Sequence, residues 1–233
     1  MKQYFLSFGL LLTVSLATVV FNSCGDDKDE PVQEQKDPDN SDDPDKPKDP
    51  SAYDVGVVIN NVKWATRNVD VPGTFVAKPE EHGMFYQWNS KVGWSATDPL
   101  TPSDGTSTWN PNWKGNRAST WESTNNVCPT GWRIPTLEEQ KSLLNSGSEQ
   151  TTLNGVRGRI FGSGDNTIFL PATGYRNSDN GRLSDGSNFY WSSTPYMGDG
   201  ESTAFFIMFR NDNDIYTDSD SRSFGFCVRC VAK

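Results

Sequence analysis

The chain has 233 residues, a net charge of −9 and eight tryptophans. This length accommodates one sizeable domain with extensions. Residues 25–52 alone contain 11 acidic side chains against four lysines, so they carry −7 of the total charge. The rest of the chain is nearly neutral and has no basic stretch, which argues against a nucleic-acid-binding protein.

The first 23 residues are predicted to be a signal peptide. An apolar run from Tyr4 to Phe21 precedes Cys24, and by length alone such a run could also be a membrane span. The sequence around Cys24 resembles the junction of a Bacteroides-type lipoprotein, where cleavage leaves the cysteine to carry lipid such as palmitate. In that group an acidic run after the cysteine marks lipoproteins on the outer surface of the outer membrane. The resemblance implies lipidation of Cys24 and this location, with an uncleaved anchor as the alternative.

Residues 24–52 are predicted to be a disordered acidic tether. Residues 25–52 contain five prolines, a single valine and no aromatic residue, so they cannot bury enough apolar surface to fold. Charge repulsion and proline keep such a segment extended. The folded domain is therefore expected over residues 53–233, held clear of the membrane.

Hydrophobic patterning within the domain predicts short strands and one helix. Asn60 and Asn61 separate two β-branched runs, which is typical of a hairpin. Thr136 and Glu139 have the spacing of a capping box and predict a helix over about 137–145. Further strands are predicted within 83–88, 157–161, 167–170, 189–192, 204–209 and 225–231, and residues 89–126 read as long loops pinned by tryptophans. The expected class is α+β, with little helix, short antiparallel strands and long loops.

Several ordered motifs resemble one known family. They are VVINNVKWATRN (57–68), GMFYQW (83–88), CPTGWRIPT (128–136), LPATGYR (170–176), YWSST (190–194) and GFCVRCV (225–231). Together they resemble the Fibrobacter succinogenes major paralogous domain over about residues 55–232. The family is similar to the C-type-lectin-like fold, which implies a mixed domain that presents loops on one face.

The stretch from 170 to 231 combines aromatic and glycine anchors with runs of Asn, Asp, Ser and Tyr. Tyrosine with small polar residues is the composition of adaptable binding surfaces, although the same polar residues are also what turns are made of. The stretch resembles the variable regions of proteins diversified by retroelements, so both a diversified and a static binding face remain open. Tyr175, Trp191 and Phe209 are expected to be buried anchors. The predicted ligand contacts are Asn180, Arg182, Asp185, Asn188, Tyr196, Asp212, Tyr216 and Asp218.

Catalytic and metal-binding chemistry finds little support in the sequence. The sole histidine, His82, has no partner visible in sequence, and Cys227 and Cys230 lie in a terminal strand instead of at the helix N-terminus that activates a redox dithiol. The acidic run 211–214 could ligate calcium, but a solvated turn is the simpler reading. We therefore expect no enzyme activity, no metal and no cofactor.

Strand parity predicts how the cysteines pair. Cys230 shares the apolar parity of the last strand, whereas Cys227 points to the other side. A disulfide between Cys128 and Cys230 is the expected pair in an oxidising envelope, and two buried reduced cysteines are the alternative.

These features predict a surface-tethered lipoprotein whose domain binds an unknown protein or glycan ligand in adhesion or recognition. The alternative is a structural or assembly subunit of the cell envelope, such as a fimbrial tip component.

Overall fold

The structure is a computed structural model, and it describes residues 50–198, 202–211 and 214–233. These residues form fourteen strands, three short 3-10 turns and one α-helix, α1 (Leu137–Leu144). The strands are β1 (Val57–Ile59), β2 (Val62–Asn68), β3 (Phe85–Tyr86), β4 (Gly93–Trp94), β5 (Trp132–Arg133), β6 (Ser148–Leu153), β7 (Val156–Ser163), β8 (Asn166–Pro171), β9 (Tyr175–Arg176), β10 (Leu183–Ser184), β11 (Asn188–Tyr196), β12 (Thr203–Phe209), β13 (Ile215–Ser221) and β14 (Arg229–Ala232).

The predicted α+β, C-type-lectin-like class is wrong, because the described residues form a β-rich domain with a single helix of eight residues. Part of the error comes from β6 and β13. Both are polar edge strands that pair on one side only, so their sequences look like loops. Exposure alternates along β13 because one of its faces is in contact with solvent.

The strands form several small antiparallel sheets. The largest has the order β1-β2-β14-β5, which places the last strand of the chain between two earlier ones. Two three-stranded meanders, β6-β7-β8 and β11-β12-β13, and the hairpins β3-β4 and β9-β10 complete the domain. Pro50–Ala52, just before the predicted domain start, form a 3-10 turn whose Ser51 carbonyl accepts a hydrogen bond from the Phe75 amide.

Both turn signals in the sequence correspond to observed structure. Asn60 and Asn61 have φ angles of 49° and 64°, which is the left-handed conformation that a two-residue hairpin requires. Thr136 caps α1 in a complete capping box with Glu139. Gln140 on the buried face of α1 donates to the Tyr190 carbonyl at 2.9 Å, which fixes the helix against β11.

Phe226 lies at the centre of the aromatic core. Its ring is 4.2 Å from that of Trp191 and 4.5 Å from that of Phe189, centroid to centroid. Its backbone forms a bridge with Tyr86, and the flanking Gly225 bridges Arg176. The segment before β14 therefore joins β3, β9 and β11 around one buried ring.

Arg176, Arg222 and Arg229 are each exposed by 1% or less. Arg222 lies over the Trp88 ring at 4.2 Å and donates to the carbonyls of Thr203, Lys114 and Ala118. The guanidinium thus ties the 114–118 loop to the sheet.

Arg229 plays the same part at the other end of the core. It donates to Asn68 Oδ1 and to the carbonyls of Ala65 and Phe169. Burial lowers its pKa to about 10. A buried charge is tolerated only when it is hydrogen-bonded. The burial of Arg229 therefore depends on these acceptors, and Arg229 in turn fixes the segments that carry them.

The structure joins Cys128 to Cys230, the pair expected from strand parity, and leaves Cys227 buried as a free thiol. None of the helices in the described ranges is long and apolar enough to cross a membrane. The predicted signal peptide, lipidation site Cys24 and nearly all of the tether lie outside the described residues.

Candidate ligand-binding face

Three of the predicted contacts lie on the hairpin β9-β10 and just after it. Asn180 and Arg182 are exposed in the turn, and Asp185 is exposed directly after β10. The turn is built from its own polar groups, because Asn180 Oδ1 accepts a hydrogen bond from the Arg182 amide at 2.9 Å. Arg182 and Asp185 make no side-chain hydrogen bond or ion pair with the described residues, so both are available to a ligand.

Tyr216 and Asp218 lie on the edge strand β13 and not, as predicted, in a loop. Both are exposed, and Tyr216 keeps 42% of its surface in solvent. Because β13 pairs with β12 along its length, these side chains have fixed positions on one face of a sheet. A strand is a more rigid support than a loop.

Tyr196 is exposed at the end of β11, with 40% of its surface in solvent. Its ring packs edge-on against Phe205 at 5.7 Å, and both side chains point to the opposite side of the sheet from Tyr216. Met197 follows and is 57% exposed. Asp212 lies outside the described residues.

Asn188 is a correction to the predicted contacts, because it is 6% exposed. Its Oδ1 accepts from the Gly174 amide at 3.0 Å and its Nδ2 donates to the Phe209 carbonyl at 3.0 Å. The side chain satisfies two backbone groups of neighbouring segments. Its role is structural. The alternation of residues along β11 does not indicate that Asn188 is buried.

The structure also shows a patch of half-buried aromatic rings that sequence reasoning did not assign to the face. The Tyr175 ring is 5.1 Å from that of Phe189 and 5.9 Å from that of Phe224. Phe189 stands opposite Met208, which stands opposite Tyr216, so all three point to one side of the sheet. Of the three expected anchors, Trp191 and Phe209 are buried, whereas Tyr175 is half-buried.

A polar cavity of about 350 Å³ adjoins this region. Asp185 and Asn188 line it together with Arg157, Arg159 and Arg210. Burial lowers the pKa of nearby His82, and the negative charge of Asp185 opposes that shift.

In the described part of the chain, the one free thiol is inaccessible. Cys227 is completely buried, and burial raises the pKa of its thiol to about 12, which leaves it protonated and unreactive at neutral pH. Its Sγ lies 3.5 Å from the His82 carbonyl. Among the described residues, no three His, Cys, Asp or Glu side chains are grouped to hold a metal ion.

Comparison with known proteins gives one match. A family profile described as a domain of unknown function (DUF8237) matches residues 161–231. This segment runs from β7 to β14, covers less than half of the chain and contains all of the predicted contacts. Neither the curated proteins nor the solved structures include a match to the chain.

Proposed function

We propose that this protein is a lipoprotein tethered to the outer surface of the outer membrane, with a domain that binds a protein or glycan ligand without chemistry in adhesion or recognition. Membership of the major paralogous domain family belongs to the same proposal, which is compatible with either a static face or one diversified by a retroelement.

The main support for this proposal is that the buried core residues and the exposed tyrosines of the β11-β12-β13 meander are different residues. Trp191 and Phe209 are 0% and 3% exposed, whereas Tyr196 and Tyr216 on the same meander are 40% and 42% exposed. Exposed tyrosines on fixed strands supply contact area at a low cost in conformational entropy. This arrangement supports binding, since nothing in the core depends on those two side chains.

A second candidate is an assembly subunit of the envelope, because β13 is a sheet edge to which a partner strand could be added. Asp218 and Asp220 project from this edge on the same side. Charged side chains on an edge strand disfavour such pairing, so the first candidate has the better support.

The decisive experiment is a glycan and host-protein binding array probed with the full-length chain in mild detergent. Tyr196 and Tyr216 point to opposite sides of the meander. For any ligand found, Tyr196→Ala or Tyr216→Ala should therefore weaken binding by about 2 kcal/mol or more, according to the side that it contacts, since binding energy concentrates in a few aromatic residues. Tyr53→Ala, which removes a tyrosine of similar exposure outside the face, is the matched control. Equal affinity in all three variants would exclude this face.

The tether is tested separately. Cys24→Ala should leave unprocessed precursor and abolish labelling by a lipid analogue, and unchanged labelling would refute the lipoprotein proposal.

A further inference from the structure

A groove of about 560 Å³ lies between the hairpin β3-β4 and the loop that follows it. This tryptophan groove is lined by Trp94, Trp109 and Trp113, by Gln87 and Asn110, and by small residues that include Thr106 to Thr108. Its volume falls within the range of about 300–1,000 Å³ that is usual for small-ligand sites. None of its lining residues is charged, in a chain with a net charge of −9.

The two half-buried rings of the groove are held rigidly. Trp109 Nε1 donates to the Ser178 carbonyl at 2.8 Å, and Trp113 Nε1 donates to the Trp88 carbonyl at 2.7 Å. The Trp109 ring also packs edge-on against Trp94 at 5.2 Å. The indole N–H groups of Trp109 and Trp113 are therefore occupied by the fold, whereas the buried Nε1 of Trp94 has no hydrogen-bond partner among the described residues. The exposed parts of the rings can act only as flat apolar surfaces, and a ligand does not have to order them on binding.

The polar rim is equally well ordered. Both the amide and the hydroxyl of Ser107 donate to the Asp104 carboxylate, which shapes the turn. The Gln87 side-chain amide donates to the carbonyls of Asn110 and Ser223 at 2.7 and 2.9 Å. Thr108 is exposed on this rim and makes no side-chain hydrogen bond with the described residues. The rim thus offers the Thr108 hydroxyl as a neutral hydrogen-bonding group, while the adjacent Asp104 carboxylate is already engaged by Ser107.

The lining determines the class of ligand. An uncharged groove provides no counter-charge for an ionic group that must lose its water, so it selects a neutral molecule. A ligand that fits the flat tryptophan rings needs an apolar face, and a ligand that bonds to the rim needs hydroxyls around its edge. A pyranose ring has both, because its C–H groups lie on one face and its hydroxyls project from the periphery. We infer that the tryptophan groove binds a neutral glycan, with sugar rings stacked on Trp109 and Trp113.

This site goes beyond the proposed function, because it consists of residues that the DUF8237 match and the β11–β13 face do not include. The two regions are nevertheless neighbours. A Cβ on Gly181 would lie 2.9 Å from the Trp109 ring, so the turn that carries Asn180 and Arg182 packs directly against this side of the groove.

The first test is isothermal titration calorimetry of the full-length chain with cellohexaose, xylohexaose and mannohexaose, and with an acidic oligogalacturonate for comparison. At least one neutral sugar should bind, with an affinity that does not change between low and high salt, because no charged group takes part. Absence of binding by all three neutral sugars, or an affinity that falls with added salt, overturns the inference.

The second test locates the binding. Thr108→Arg fills the rim with a long charged side chain and should weaken sugar binding by at least about tenfold, whereas Thr124→Arg makes the same change at an exposed threonine outside the groove and should have no effect. Trp109→Ala should abolish binding. If Trp109→Ala does not fold, Thr108→Arg alone tests whether the sugar binds in the groove. Unchanged affinity in Thr108→Arg refutes the groove. If Tyr216→Ala alone abolishes sugar binding, the groove is wrong while the proposed face stands.

Discussion

Replacement of Arg176 by methionine tests whether buried arginines hold the long loops of this domain. The guanidinium is completely buried and donates to the carbonyls of Ser95, Thr97 and Gly181 and to the Asp98 carboxylate. Methionine fills similar space but donates nothing. The 95–98 loop would then lose its attachment to the hairpin β9-β10.

The loss of stability in Arg176→Met depends on which hydrogen-bond acceptors of Arg176 water cannot reach in the variant. Asp98 is 73% exposed, so its carboxylate is solvated in the variant and the ion pair contributes at most about 1 kcal/mol. Thr97 is exposed as well, and water can replace the lost donor. Gly181 is buried and Ser95 is half-buried. Each buried carbonyl left unpaired costs about 1–3 kcal/mol, so Arg176→Met should destabilise the domain by about 4 kcal/mol.

For a domain of this size, 1 kcal/mol shifts the melting temperature by about 2–4 °C, so the expected decrease is about 10 °C in differential scanning calorimetry. Asp98→Asn should cost less than about 1 kcal/mol. Arg182→Met, an exposed arginine on the same hairpin, should stay within about 0.5 kcal/mol of the parent. If Arg176→Met melts within about 2 °C of the parent, or if Asp98→Asn is as damaging, the argument from buried carbonyls is wrong.

Three further predictions concern stability and covalent structure. Asn188→Ala should lower the free energy of unfolding in urea by about 1–3 kcal/mol, because two buried backbone groups lose their partner. Asn180→Ala should change the free energy of unfolding by less than about 0.5 kcal/mol. Equal effects of the two substitutions would contradict the structural role of Asn188. Peptide mapping without reduction should recover a peptide that joins Cys128 to Cys230, and a link from Cys227 to Cys230 would show that the pairing is wrong. The Cys227 thiol has a pKa raised from about 9 to about 12 by burial. The unfolded chain therefore releases this proton above pH 9 while the native state keeps it, and stability should fall as pH rises from 9 towards 12, by up to about 1.4 kcal/mol per unit. Urea titrations at pH 8 and pH 10 should show a larger loss in the parent than in Cys227→Ala, in which burial still raises the pKa of Tyr86 and Tyr190.

The parts of the fold that were predictable are those set by local chemistry. The capping box of Thr136 and Glu139 located the start of α1, and the two asparagines at 60–61 located a hairpin. Both signals act over four residues or fewer, so a single sequence contains all of the information. Strand β12, which is apolar from Ala204 to Phe209, was also predictable because side chains on both of its faces are buried.

The elements that were missed depend on distant partners. Strand β13 has a polar sequence and becomes a strand only because β12 supplies its hydrogen bonds. Asn188 and Arg176 resemble ordinary turn residues in the sequence, and their burial depends on segments about 20 and 80 residues away. The tryptophan groove likewise needs rings fixed by carbonyls of other loops. The anchors of the candidate face could thus be predicted in part, but its geometry could not.

The position of β14 has a consequence for biosynthesis. This strand is the last in chain order, yet it lies in the middle of its sheet, where Val231 pairs with both Trp64 and Arg133. A nascent chain therefore exposes the unpaired edges of β2 and β5 until β14 has been synthesised and released. Pairing across such sequence separations is slow, and the waiting intermediate is prone to aggregation. A chain that stops before Arg229 would lack both β14 and one half of the disulfide, so only chains that extend through β14 can reach the native state.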